Sequence, residues 1–296
     1  MNIKELLKQK RNNLSASSIT TYSSILKNLH KKVFGKDKEM KENDFDKCDE
    51  ILDYLKDVPA NRRKTILSAL VVLTGKDEYR NQMNEDVSTY NREIQTQTKS
   101  DTQRENWIEK NEIEKIRNEL ENDAKILYKK KNKNVSDLQD IQKYIIVVLL
   151  GGLDGVPPRR SLDYTCFKIK NIDQEKDNYI NGNKLIFNKF KTAKSAGRQE
   201  LTIPLKLKNI LIKWISVNPT DYLLFDINLN PLTPVKLNQR MNRIFGTQKG
   251  RSINMMRHVF LTDRFKKTSE ENKQLEETMK DMGSSENMAL NYIKLK

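Results

Sequence analysis

Apolar residues recur at helical spacing through the first part of the chain. Ile19, Tyr22, Leu26, Leu29 and Val33 return every three or four positions behind Ser15, a residue suited to cap a helix, and Gly35 ends the run. A second helix is predicted around Ile51, Leu52 and Leu55. Pro59 suits the first turn of a third, which carries Ile66, Leu67, Leu70 and Leu73 and stops at Gly75. Tyr79, Met83, Val87, Tyr90 and Ile94 form a narrow stripe on a fourth. The polar run from Gln95 to Arg104 has no apolar anchor and reads as a linker. The pattern therefore divides the chain into a helical domain at 1–95, a linker at 96–104 and a larger domain at 105–296.

Helices are predicted in the larger domain at 110–128, 136–150, 205–216 and 234–245. Ser136 is the expected cap of the second, and its stretch from Ile141 to Leu150 is almost wholly apolar and so buried. Between 164 and 203 the period changes to that of strands. Asn181-Gly182-Asn183 signals a hairpin turn, and Lys184–Asn188 and Gln199–Ile203 flank a second turn at Lys194–Gly197. The expected fold class is mainly α with a small, three-stranded antiparallel β-sheet, an α+β arrangement.

Composition narrows the partners. The chain has 55 Lys and Arg against 40 Asp and Glu, a net charge of +15. A field of that sign favours a polyanion, either nucleic acid or an acidic membrane surface. The longest apolar run, Tyr144 to Leu150, is far too short to span a bilayer. Met1-Asn-Ile-Lys-Glu5 shows no secretory signal pattern. Cys48 and Cys166 lie far apart in apolar-flanked segments and read as reduced core residues, which points to an intracellular location. Two cysteines and two histidines, His30 and His258, do not make a zinc site of the usual spacings, so no metal or other cofactor is expected.

Four short stretches could carry chemistry. Arg160 lies in Pro157-Pro158-Arg159-Arg160-Ser161-Leu162-Asp163, just after the buried helix, with an acidic residue three positions on; Arg159 is its rival. Lys191 lies in Asn188-Lys189-Phe190-Lys191-Thr192 at the second hairpin, with Lys189 and Lys194 as neighbours. Arg257 sits among apolar residues in Asn254-Met255-Met256-Arg257-His258-Val259-Phe260, where a solvated face is a poor explanation and an unpartnered charge would be costly. Ser284 follows Gly283, and Tyr292 comes close behind it near the C-terminal end.

In order and spacing these stretches resemble the tyrosine recombinase family, the phage-type integrases, over nearly the whole chain. The proline-rich double arginine and Lys191-Thr192 look most like integrases of large DNA viruses and their satellites. The resemblance implies a site-specific recombinase that breaks and rejoins double-stranded DNA through a 3′-phosphotyrosine, without metal or ATP. It casts Tyr292 as nucleophile, Arg160 and Arg257 as the grip on the phosphate, and Lys191 as general acid. Asn254 and Ser284 stand where the family has histidine, and histidine or tryptophan; either can hydrogen-bond a phosphate oxygen, but neither shuttles a proton as histidine does.

The chemistry suits the residues. A phenol, with pKa near 10, needs nearby positive charge or a base to attack. Two guanidiniums match the two non-bridging oxygens and never lose their charge. Arg62, Arg63 and Lys64 in the helical domain, and Lys236, Arg240 and Arg243 on the helix after Pro234, are the expected DNA-backbone contacts. The resemblance further implies a homo-oligomer, a tetramer on two DNA sites, working with DNA inside the cell and away from membranes. Two alternatives stay open: a type IB topoisomerase, which shares the fold and the tyrosine, and a catalytically degenerate DNA-binding protein. A relaxase-type nuclease lacks its histidine pair here.

Overall fold

A computed structural model of the chain describes residues 2–246, 250–285 and 288–289. It divides into two compact units, Met1–Lys99 and Ser100–Lys296.

The first unit is helical. It comprises α1 (Ile3–Lys10), α2 (Ala16–Val33), a short 3-10 helix (Glu42–Asp46), α3 (Cys48–Leu55), α4 (Ala60–Thr74) and α5 (Asp77–Gln95). The Ser15 hydroxyl accepts the Ser18 amide at 3.0 Å and so starts α2. Gly75, at φ 74°, turns the chain out of α4 while its amide still reaches the Val71 carbonyl. Helix α1 was not predicted; its apolar pair Ile3 and Leu7 is too short a repeat to stand out, yet both are buried. The core gathers Leu7, Leu26, Phe45, Ile51, Leu67, Leu70 and Tyr79. Buried His30 meets Asp44 at 3.0 Å, which ties α2 to the 3-10 helix. The stripe on α5 is buried only at its start: Tyr79 is in the core, whereas Val87 and Ile94 are exposed.

The second unit begins inside the expected linker. Ser100 and Gln103 form a reciprocal capping box that nucleates α6 (Asp101–Asn106), so residues 101–104 are helical rather than irregular. There follow α7 (Lys110–Lys129), α8 (Val135–Leu150), α9 (Ser161–Thr165), β1 (Phe167–Lys168), β2 (Asn178–Asn181), β3 (Lys184–Phe187), α10 (Ala193–Ala196), β4 (Gln199–Thr202), α11 (Leu205–Val217), α12 (Pro234–Ile244) and α13 (Ile253–Asp281). Asn134, with Asp137, caps α8 two residues before the Ser136 expected. The sheet has four strands in the order β1-β2-β3-β4 and is mixed. β2, β3 and β4 are antiparallel, and the two-residue β1 adds a parallel edge. The expected second turn instead winds into α10 and ends at Gly197, at φ 67°.

Helix α8 is the centre of this unit. Ile141, Ile145, Ile146, Val147, Leu149 and Leu150 are fully enclosed. Gln142 on the same helix is also enclosed, and its side chain exchanges two hydrogen bonds with the Phe225 backbone, at 2.8 and 2.9 Å. Those bonds satisfy a buried amide and pin the segment leading to α12. Trp214 of α11 stacks on Phe225 and donates its indole N–H to the Leu223 carbonyl. Among the described residues no helix is long and apolar enough to cross a membrane.

Candidate active site

The buried run of α8 ends at Gly151-Gly152. Gly152 has φ +71°, and a Cβ placed there would lie 3.0 Å from Phe260 of α13. Only a glycine lets the loop after α8 approach α13 so closely. Phe260 is three residues beyond Arg257, on the same side of the helix. This approach therefore brings the Arg159-Arg160 loop to the first turns of α13. Ser252 caps α13 by accepting the Met255 amide, and Met255, Met256 and Val259 are buried in the core. The apolar positions around Arg257 fix the helix, and Arg257 itself is left half-buried.

Three guanidiniums and one carboxylate share this corner. Arg159 turns inward. Its Nε donates to Asp163 Oδ2 at 2.8 Å, a second nitrogen donates to Gln199 Oε1 of β4 at 3.0 Å, and its Cζ lies 3.9 Å from the centre of the Phe187 ring of β3. Arg160, the residue before α9, is exposed. Asp163 is buried, and its Oδ1 has no hydrogen-bond partner among the described residues. Burial raises the Asp163 carboxyl above its ordinary range, against the opposing pull of Arg159, Arg160 and Arg257. Burial, and then the charge of Arg160, lowers Arg257 below the usual arginine range, while Asp163 acts the other way. Arg160 and Arg257 are thus close enough to feel one another. The corner holds more positive than negative charge and is only partly open to water, which is what an oxyanion site needs.

The remaining residues fall at different distances from this corner. Phe190 has its ring 5.5 Å from the Arg159 guanidinium, so Lys191, next in the chain and exposed, follows directly from the wall of the site. Asn254 is exposed on α13, with its amide 3.3 Å from His258 Nε2. His258 is exposed too. Ser284 lies at the far end of α13. From Arg257 to Asp281 the helix is unbroken, a span of about 36 Å at 1.5 Å per residue. Gly283, at φ 70°, then turns the chain, and the Ser284 amide closes the cap on the Met279 carbonyl at 2.8 Å. The structure does not bring Ser284 to Arg257. Tyr292 lies outside the described residues.

The expected DNA contacts also differ among themselves. Arg63 makes a bidentate pair with buried Asp86, at 2.7 and 2.9 Å, and caps the end of α3 through the Leu55 and Lys56 carbonyls. It is a framework residue of the first unit. Lys64 lies over the Tyr90 ring, while Arg62 is exposed. On α12, Lys236 pairs with Asp226 at 2.6 Å, Arg240 donates to Gln139 of α8 with its charge disfavoured by burial, and Arg243 is exposed.

No family model matches the sequence, and no curated protein matches it. Among solved structures, the chain is similar to XerA recombinase, at 12% identity and a TM-score of 0.36, over 89% of this chain and 83% of that one. It is also similar to XerH site-specific recombinase bound to its difH substrate in a pre-cleavage complex, at 14% identity and a TM-score of 0.39, over 99% of this chain and 91% of that one. At such scores the weight rests on the chain's own residues.

Sequence reasoning left the choice between Arg159 and Arg160 open, and it missed Gly152, Gln199 and Phe187. The Gly151-Gly152 pair straight after a buried helix was the available signal for the first. The other two depend on strand register, which a single sequence does not reveal.

Proposed function

We propose that the protein is a tyrosine-type site-specific recombinase, acting on double-stranded DNA through a phosphotyrosine intermediate. The observation that carries the reading is the corner where exposed Arg160 and half-buried Arg257, on two separate elements, flank the buried carboxylate of Asp163. In this reading the two guanidiniums take the non-bridging oxygens of one phosphate. Tyr292 loses its phenolic proton to solvent water, its oxygen bonds phosphorus, and the P–O5′ bond breaks. The proton needed by the leaving oxygen comes from Lys191, at the wall of the site. Asn254 offers an amide hydrogen bond to the same phosphate. Arg62, Lys64, Lys236 and Arg243 supply backbone contacts, a list that leaves out Arg63, and Arg240 is held to Gln139 until DNA competes for it.

The length of α13 gives the oligomer a purpose. With that helix intact, Ser284 lies far from the arginines of its own copy. We take the assembly on DNA to be a homo-oligomer in which the arm after α13 delivers Tyr292 to the arginines of a neighbouring copy.

The test is a suicide duplex whose nicked strand traps the covalent state. The wild-type protein should form a denaturation-resistant adduct that maps to Tyr292, and Tyr292→Phe should bind the same DNA and form none. An adduct that survives in Tyr292→Phe, or that maps to another tyrosine, contradicts the assignment. Relaxation of any supercoiled plasmid without paired sites would favour the type IB topoisomerase instead. DNA binding with no adduct under any condition would favour a degenerate binding protein.

A further inference from the structure

Arg159 has no place in the reaction described above, yet it is the most heavily engaged side chain of the corner. Its Nε is committed to Asp163, another nitrogen to Gln199 of β4, and its flat face to Phe187 of β3. Its side chain is 19% exposed and that of Asp163 4%. Turning Arg159 toward a phosphate would break these contacts and leave a buried carboxylate uncompensated. A planar fork that bridges two acceptors while stacked on an aromatic ring is a geometry that lysine does not reproduce.

The contacts form a chain of support. β3 and β4 hold Arg159, Arg159 holds Asp163, and Asp163 is the buried carboxylate on which the charges of Arg160 and Arg257 act. One carboxylate oxygen is fixed by Arg159, and the other, Oδ1, remains buried and unpartnered on the described residues. Two guanidiniums repel each other, so their spacing depends on where that counter-charge is held. Resting on the recombinase reading of this site, we propose that Arg159 is a positioning residue: it braces Asp163 against the sheet, sets Arg160 and Arg257 for the phosphate, and contacts no phosphate itself. The same brace joins the arginine loop to the hairpin that carries Lys191.

The test uses substitutions that separate geometry from charge. Arg159→Lys keeps the charge and loses the bridge. Gln199→Met removes one leg of the brace at a partly exposed position and guards against a variant that merely misfolds. Each is measured below its melting temperature for duplex affinity, for orthovanadate binding by calorimetry, and for the single-turnover rate on the suicide duplex. Arg160→Ala marks which vanadate binding belongs to the site. The proposal expects Arg159→Lys to hold duplex DNA as the wild type does, bind vanadate about tenfold more weakly, and cleave about a hundredfold more slowly, as a small misplacement of reacting groups does. Gln199→Met should move in the same direction by less. Wild-type vanadate affinity and cleavage in Arg159→Lys would overturn the proposal, as would the absence of Arg160-dependent vanadate binding in the wild type. If vanadate binding behaves as expected but the wild type forms no tyrosine adduct, the brace stands and the recombinase reading is what fails.

Discussion

The two ends of α13 are built by opposite rules. At its start, Ile253, Met255, Met256 and Val259 are buried, Phe260 meets Gly152, and Arg257 joins a cluster of four charged groups. Beyond Phe260 the helix runs mostly exposed; Leu261 and Phe265, one turn apart, are 52% and 46% accessible. There its side chains make one tie to α7, the Lys110–Asp263 pair at 2.9 Å, and pairs along the helix itself such as Lys266–Glu270 and Lys267–Glu271, at 3.9 and 3.8 Å, until Met279 is buried near the far end. Yet both ends carry residues that the sequence assigns to one chemical step. In the proposed reading the phosphate grip sits on the packed start of the helix, whereas the segment that leads to Tyr292 begins beyond its mostly exposed outer stretch. On that reading, the difference is why an assembly completes the site.

The contrast predicts effects of graded size. Arg257→Ala should slow single-turnover cleavage of the suicide duplex by about a hundredfold to a thousandfold, the usual loss when one donor to a reacting oxyanion is removed. A variant within tenfold of the wild type would take Arg257 out of the site. Gly152→Ala should destabilise the second unit by roughly 1–3 kcal/mol in urea unfolding, since it forces a side chain into left-handed backbone and against Phe260. An unchanged midpoint would mean that the loop and α13 are not in contact as described. Leu261→Ser and Phe265→Ser, on the outer stretch, should each change the stability of the free protein by no more than about 0.5 kcal/mol. A larger loss would show that the outer stretch is packed even before assembly.

How much of this was readable in the sequence depends on the range of the forces involved. Helices α2, α4, α7, α8, α11 and α12 were visible because their apolar spacing and caps are local. Helix α1 and the pair α9 and β1 are too short to register as periodic. The sheet was recognised from its turns, but the parallel edge β1 pairs Phe167 with Asn178 across a long loop and leaves no local trace. The continuity of α13 was written in the chain: no proline or glycine interrupts Ile253–Asp281, and Gly283 is the first residue able to stop it. Its consequence, that Ser284 is carried far from Arg257, follows only when that length is converted to distance. The arginine corner was half legible. Arg160, Asp163 and Arg257 stand out by type and spacing, but only the register of β3 and β4 shows that Arg159 is the one turned inward.

The central claim is that the two halves of one site come from opposite ends of α13 and meet between copies of the protein. It is tested most directly by mixing two inactive variants, Arg257→Ala and Tyr292→Phe, on the suicide duplex. Neither alone should form an adduct at more than a trace of the wild-type rate. Mixed, they should regain a covalent adduct, and peptide mapping should place it on Tyr292 of the Arg257→Ala chain, attacked phosphate in the arginines of the other. A mixture as inactive as its components, with a wild type that cleaves, would show instead that each copy completes its own site and that α13 does not stay straight on DNA.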